Sequence, residues 1–137
     1  MLNVKSATFG ALENNCYLIT DEKTNRSALV DCTEDSEKMM NFIKGANLEY
    51  ILLTHGHFDH IGGVKAVKAK TGAKVVISKE DEPMLNSSKL SLAAFCGGIQ
   101  NKTEADITVK DGDIITLGES EIKVMSTPGH TKGGLCY

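Results

Sequence analysis

The run Thr54-His55-Gly56-His57-Phe58-Asp59-His60-Ile61-Gly62-Gly63 constrains this chain more than any other segment. It falls between an apolar run of strand length, residues 50–53, and a stretch in which Ile61, Val64 and Val67 share one helical face and which stops near Gly72. A loop between a strand and a helix is held at both ends, so its side chains are presented from a rigid frame. His55 and His57 are two apart, and in extended backbone that spacing sends both imidazoles to the same side. Asp59 repeats the period and His60 breaks it, so the turn into the helix aims these two at a second point nearby. Gly56 permits tight backbone between the histidines, and Gly62-Gly63 lets the following helix pack closely.

The chain has four histidines, three of them in this run. The fourth, His130, lies in Ser126-Thr127-Pro128-Gly129-His130-Thr131, where Pro-Gly signals a tight turn after a strand. A histidine standing alone is more often a surface or core residue than a ligand. Beside the cluster His130 becomes the third donor that an open zinc site requires, with His55 and His57. Water on such an ion loses its proton near neutral pH and attacks without a serine or cysteine nucleophile. Asp59 and His60 begin a second metal position sharing that hydroxide. Zinc is the expected ion; iron and manganese suit the same donors, because affinity alone does not select the metal.

Several neighbours carry two readings. Asp59 is a ligand and also a candidate cap for the helix at Ile61, two compatible roles. Asp31 ends a strand and is either an acceptor that orients a metal-bound histidine or a turn residue. Thr54 and Thr131 flank the ligands, as hydroxyl donors to the site or as ordinary strand-end threonines. Met39 and Met40 belong to the core, and Cys32 and Cys136 read as buried apolar thiols.

The 137 residues suit one domain, 1–137, with a modest core. A net charge of −3 and a single arginine leave no basic footprint for nucleic acid. No secretory signal or membrane-length apolar run is visible, and the four cysteines form no CxxC pair, so reduced thiols in the cytoplasm are expected. Strands are predicted at 4–9, 16–20 and 27–31, with turns at 13–15 and 21–25. A helix follows from Glu34, capped by Thr33 and stopped by Gly45. Residues 74–77 form another strand, and a weaker helix spans 82–86 with Pro83 in its first turn. Residues 87–108 give no clear pattern beyond a helix and loop covering one end of the site. Strands return at 109–113, 114–117 and 121–126, and the chain stops in the apolar run 135–137, an ending that looks cut. This order makes an α/β or α+β domain with helices outside a sheet.

THGHFDHIGG followed by TPGHTKGGLCY resembles the metallo-β-lactamase-fold hydrolases, and most of all the branch containing glyoxalase II (hydroxyacylglutathione hydrolase). The resemblance spans nearly the whole chain and implies the N-terminal portion of an αββα sandwich. It implies one metal held at His55, His57 and His130 and a second held in part at Asp59 and His60. It also implies hydrolysis of a small-molecule thioester or ester by metal-bound hydroxide. The family pattern continues with a bridging aspartate and a final histidine, for which this chain has no positions. A metal-binding fragment without turnover is therefore the competing expectation, as is self-association through an exposed sheet edge. Diiron redox members of the fold carry a glutamate where this chain has His57, which favours hydrolysis. An HxH amidohydrolase barrel is set aside, since that fold needs about 250 residues.

Overall fold

Residues 28–30, 51–53 and 75–77 are too continuously apolar for strands with a wet face, and in the fold both faces of each are covered. The computed structural model describes residues 2–96, 100 and 102–137. A six-stranded sheet runs in the order β1 (Leu2–Phe9), β2 (Asn14–Asp21), β3 (Arg26–Val30), β4 (Asn47–Leu52), β5 (Lys74–Ser78) and β6 (Ile107–Val109). The first three strands are antiparallel; β3 through β6 are parallel. Parallel neighbours need crossovers, supplied by α1 (Glu37–Ile43) between β3 and β4 and by α2 (Phe58–Ile61) and α3 (Val64–Thr71) between β4 and β5. Two ribbons follow, β7 (Ile114–Leu117) with β8 (Ser120–Lys123), and β9 (Met125–Ser126) with β10 (Leu135–Cys136).

Alternation along the central strands divides the core. Leu29, Ile51, Val75 and Ile77 pack with Met39, Ile43, Val64 and Val67 of the helices. Their neighbours Ala28, Val30, Leu52 and Val76 pack on the other side with Ile115, Leu117, Ile122 and Leu135. Among the described residues the helices cover one face of the sheet and the ribbons lie against the other.

Several local expectations change. Of the two thiols expected to be buried, Cys32 is, whereas Cys136 is exposed because it lies on the short two-stranded ribbon of β9 and β10. The cap of α1 is Ser36, whose hydroxyl accepts from the Met39 N–H at 3.1 Å, and not Thr33. Asn14 is the first residue of β2 and not part of a turn, the turn having closed at residues 10–13 with Glu13 at φ 51°. The helix expected from Ile61 is two helices broken at Gly62-Gly63. A Cβ on Gly62 would overlap the Thr33 carbonyl, and one on Gly63 the Glu34 carbonyl, so the chain after β3 lies directly on the break. Asp59 sits inside α2, with His57 at its N-cap position, so the capping role for Asp59 falls away.

The strand expected at 109–113 is β6, ending at Val109, after which the Asp113 carboxylate accepts from the Lys110 N–H at 2.9 Å and closes a turn. The strand expected at 121–126 divides into β8 and β9. Pro83 sits in the first turn of a 3₁₀ helix, Glu82–Asn86. The helix expected within 87–108 is not formed among the described residues, which run as turns to residue 96; residues 97–99 and 101 lie outside the description. Gln100 ties this stretch down, donating to the Met84 and Leu85 carbonyls, both at 2.8 Å.

Candidate metal centre

The parallel strands β3, β4 and β5 deliver Asp31, the Thr54–His55 corner and Asp81 respectively just beyond their carboxyl ends, the edge at which open α/β sheets place ligands. Around that edge His55, His57 and His130 each offer a ring nitrogen, all within 4.8 Å of one another. Their rings stand nearly perpendicular, with centroids 4.5 to 5.0 Å apart. His55, Asp59 and His60 form a second group within the same limit. The structure thus brings together all five residues expected as ligands.

Two observations test whether a cation suits these donors. Nε2 of His55 is buried and has no hydrogen-bond partner among the described residues, an arrangement that costs free energy unless something else is bound there. His57 Nδ1 and His130 Nε2 lie 2.9 Å apart, close to the separation of about 3.3 Å for two nitrogens on one tetrahedral zinc. The donors therefore fit a divalent transition-metal ion.

Asp31 holds two of these candidate ligands from behind. Its backbone takes φ 60°, a conformation tolerated by aspartate more than by most residues. Its carboxylate accepts from the Thr54 N–H at 2.9 Å, from the Thr54 hydroxyl at 2.8 Å, and from His60 Nδ1 at 2.7 Å. With its proton given to Asp31, the Thr54 hydroxyl accepts from His55 Nδ1 at 3.0 Å. Both rings are thereby protonated at Nδ1 and present a lone pair at Nε2. Asp31 and Thr54 therefore both touch rings of the histidine cluster. Thr131 instead turns away from the histidines and donates to Asp81 at 2.7 Å.

Burial lowers the pKa of His55 to about 4, with the neighbouring His60 ring adding to the effect. Burial and the facing His130 lower that of His57. Burial works in the same direction on His60, but the hydrogen bond and charge of Asp31, with the charge of Asp59, outweigh it and raise that pKa. Neutral imidazole is the form that ligates a metal, so burial of His55 and His57 favours it.

Two residues at this edge escape sequence reasoning. Asn14 donates from Nδ2 to both the carbonyl and the carboxylate of Asp59, at 3.2 and 3.1 Å, across a sequence separation of 45. Its placement in Glu13-Asn14-Asn15 carries only a turn signal. Asp81 is buried at 1% exposure among donors from two separate loops. Its one signal was a position before a 3₁₀ helix, where it makes no side-chain cap.

The model of the Metallo-beta-lactamase superfamily matches residues 9–137, and the chain belongs to that superfamily. It is similar to a hydroxyacylglutathione hydrolase of Maricaulis maris, 35% identical over 127 residues that make up 91% of this chain and 43% of the relative. Among solved structures it is similar to the B3 metallo-beta-lactamase BLEG-1, with TM-score 0.89 and 27% identity over 97% of this chain and 65% of that one. It is also similar to TTHA1623, solved in a di-iron-bound form, with TM-score 0.80 and 27% identity over 96% of this chain and 64% of that one. The chain spans less than half the length of the hydroxyacylglutathione hydrolases it matches. No helix among the described residues is long and apolar enough to cross a membrane.

Proposed function

We propose that this chain is the metal-holding part of a hydrolase that cleaves a thioester or ester bond in a small molecule, with zinc as its cation. The observation that carries the reading is the buried, unpartnered Nε2 of His55 beside ring nitrogens of His57 and His130. When bound, the cation supplies polarisation of the scissile carbonyl and a water acidic enough to be a nucleophile near neutral pH.

The chain's own residues do the positioning. Asp31 keeps the Nδ1 proton on His60 directly and on His55 through Thr54, so that both Nε2 lone pairs face the site. Asn14 restrains the Asp59 carboxylate. A cavity of about 180 Å³ beside Asp59, bounded by Leu12 and Phe58, offers apolar surface to the acyl part of a substrate. The larger groove, about 470 Å³, is lined by residues such as Lys44, Leu48 and Thr71, at the opposite ends of the strands, and takes no part. A thioester is preferred to a β-lactam because the hydroxyacylglutathione hydrolase of Maricaulis maris is 35% identical, against 27% for BLEG-1.

A second reading, metal binding without turnover, draws on the uneven donor sets. Three histidines make one group, while the other shares His55 and adds only Asp59 and His60. Elemental analysis beside hydrolysis of a chromogenic thioester separates the two. Turnover that disappears on chelation, returns with zinc and is absent in His130→Ala supports the hydrolase. Bound metal with no turnover supports the second reading.

A further inference from the structure

The two loops that carry the three-histidine group are 73 residues apart between His57 and His130, and one buried carboxylate touches both. Asp81 Oδ2 accepts from the backbone N–H of Gly56, between His55 and His57, at 3.1 Å. The same oxygen accepts the hydroxyl of Thr131, next to His130, at 2.7 Å. Oδ1 accepts from the backbone N–H of Gly133 at 3.0 Å. Asp81 is itself held, its N–H donating to the Ser78 hydroxyl at 3.2 Å.

The glycines on either side fit the same design. A Cβ on Gly56 would stand 2.5 Å from the Met84 Cβ and 3.1 Å from the Asp81 carbonyl oxygen. A Cβ on Gly133 would stand 2.7 Å from Asp81 Oδ1 and overlap the Ser78 hydroxyl. Both loops therefore come up against residue 81 with bare backbone. Hydrogen bonds to a charged acceptor inside the protein are stronger and shorter than neutral ones, so this bridge is stiff.

We infer that Asp81 is a positioning residue that sets the spacing between the His55–His57 loop and the His130 loop, and so pre-organises the three-histidine metal position. It touches neither the metal ligands' rings nor any reacting atom; its effect passes through the backbone of Gly56 and through Thr131. The inference rests on the metal-holding reading given above. An asparagine at this position keeps the size but puts an amide N–H₂ either against the Gly133 N–H, which then loses its acceptor, or against the Gly56 N–H and the Thr131 hydroxyl, which releases the His55–His57 loop from the bridge.

The test is the affinity of the metal-free chain for zinc, by competition with a chromogenic chelator, together with the visible spectrum of the Co²⁺-loaded protein. Asp81→Asn should weaken binding measurably, by up to the about 10-fold that marks the lower end for losing a partner bonded directly to a ligand, since Asp81 acts one step further out. It should also alter the Co²⁺ bands, which report ligand geometry. Should that variant not fold, Thr131→Val and Thr131→Ser decide: valine weakens binding and changes the spectrum, while serine, which keeps the hydroxyl, restores both. Unchanged affinity and spectrum in a folded Asp81→Asn, or equal behaviour of valine and serine, overturns the role of Asp81 alone. A wild-type chain that binds no zinc overturns the metal-holding reading, and the role of Asp81 with it.

Discussion

The Asp31 carboxylate and His60 Nδ1 meet at 2.7 Å, and the same carboxylate reaches His55 through the Thr54 hydroxyl. One residue at the end of β3 therefore fixes the tautomer of a donor in each of the two groups. Replacement by alanine removes both restraints at once. Asp31→Ala should lower zinc affinity by about 10- to 100-fold, measured by competition titration, while a Thr54→Ala change, which touches only the His55 branch, should cost less. Equal affinities for the wild type and Asp31→Ala would contradict the role assigned to this carboxylate.

The two histidines that Asp31 serves have their pKa values displaced in opposite directions in the metal-free protein. His55 has its pKa lowered to about 4, against about 6.5 in an unfolded chain. Between these values the unfolded chain takes up the proton and the folded ring does not, so its stabilising share is complete above the upper value and is lost as the pH falls. His60, with its pKa raised, contributes stability that is present below about 6.5 and lost as the pH rises through its folded value. NMR titration near a pH of about 5.5 should find the His55 ring neutral and the His60 ring protonated. The reverse pairing would refute this electrostatic picture.

Asp21 links two turns that are distant in sequence. Its carboxylate accepts from the Thr24 hydroxyl at 2.6 Å, the Glu119 N–H at 3.0 Å and the Ser120 hydroxyl at 2.9 Å. The Thr24 and Glu119 hydrogen bonds hold its pKa well below the usual carboxylate range. The stability it supplies is therefore present above the ordinary value of about 3.9 and is lost as the pH falls through the folded one. Asp21→Asn should lower the urea midpoint at neutral pH and flatten the acid limb of the stability curve; an unchanged acid limb would contradict it.

Gly63 meets the chain after β3 so closely that a Cβ there would overlap the Glu34 carbonyl and lie 2.8 Å from the Cys32 sulfur. Backbone on the other side cannot swing aside as a long side chain could. Gly63→Ala should destabilise the protein by about 1–3 kcal/mol through overpacking, read as a shifted denaturant midpoint at constant slope. A neutral substitution would mean that the break between α2 and α3 is softer than its geometry indicates.

What the sequence disclosed follows the range of the interactions involved. The apolar runs Ala28-Leu29-Val30 and Val75-Val76-Ile77 are local and announced strands, which in the fold are covered on both faces. The short-range spacing of His55, His57, Asp59 and His60 likewise announced a cluster before any fold was known. The break at Gly62-Gly63 was not legible as a break, because its cause is the carbonyls of Thr33 and Glu34, which approach only after β3 and β4 pair. Asn14 and Asp81 were missed for the same reason: each side chain acts across a long stretch of sequence, on Asp59 and on Gly56 with Thr131, and neither side chain has a partner within its own segment. Thr131 was noticed for its position beside His130, yet its partner is Asp81 and not a histidine.

The most direct test is zinc stoichiometry of the purified chain, by elemental analysis and calorimetric titration, with His55→Ala and His130→Ala measured alongside. At least one zinc ion per chain, lost in both variants although one replaces a residue after β4 and the other a residue between β9 and β10, is the predicted result. A folded chain that takes up no zinc, or one whose zinc is unaffected by His130→Ala, would contradict the three-histidine site.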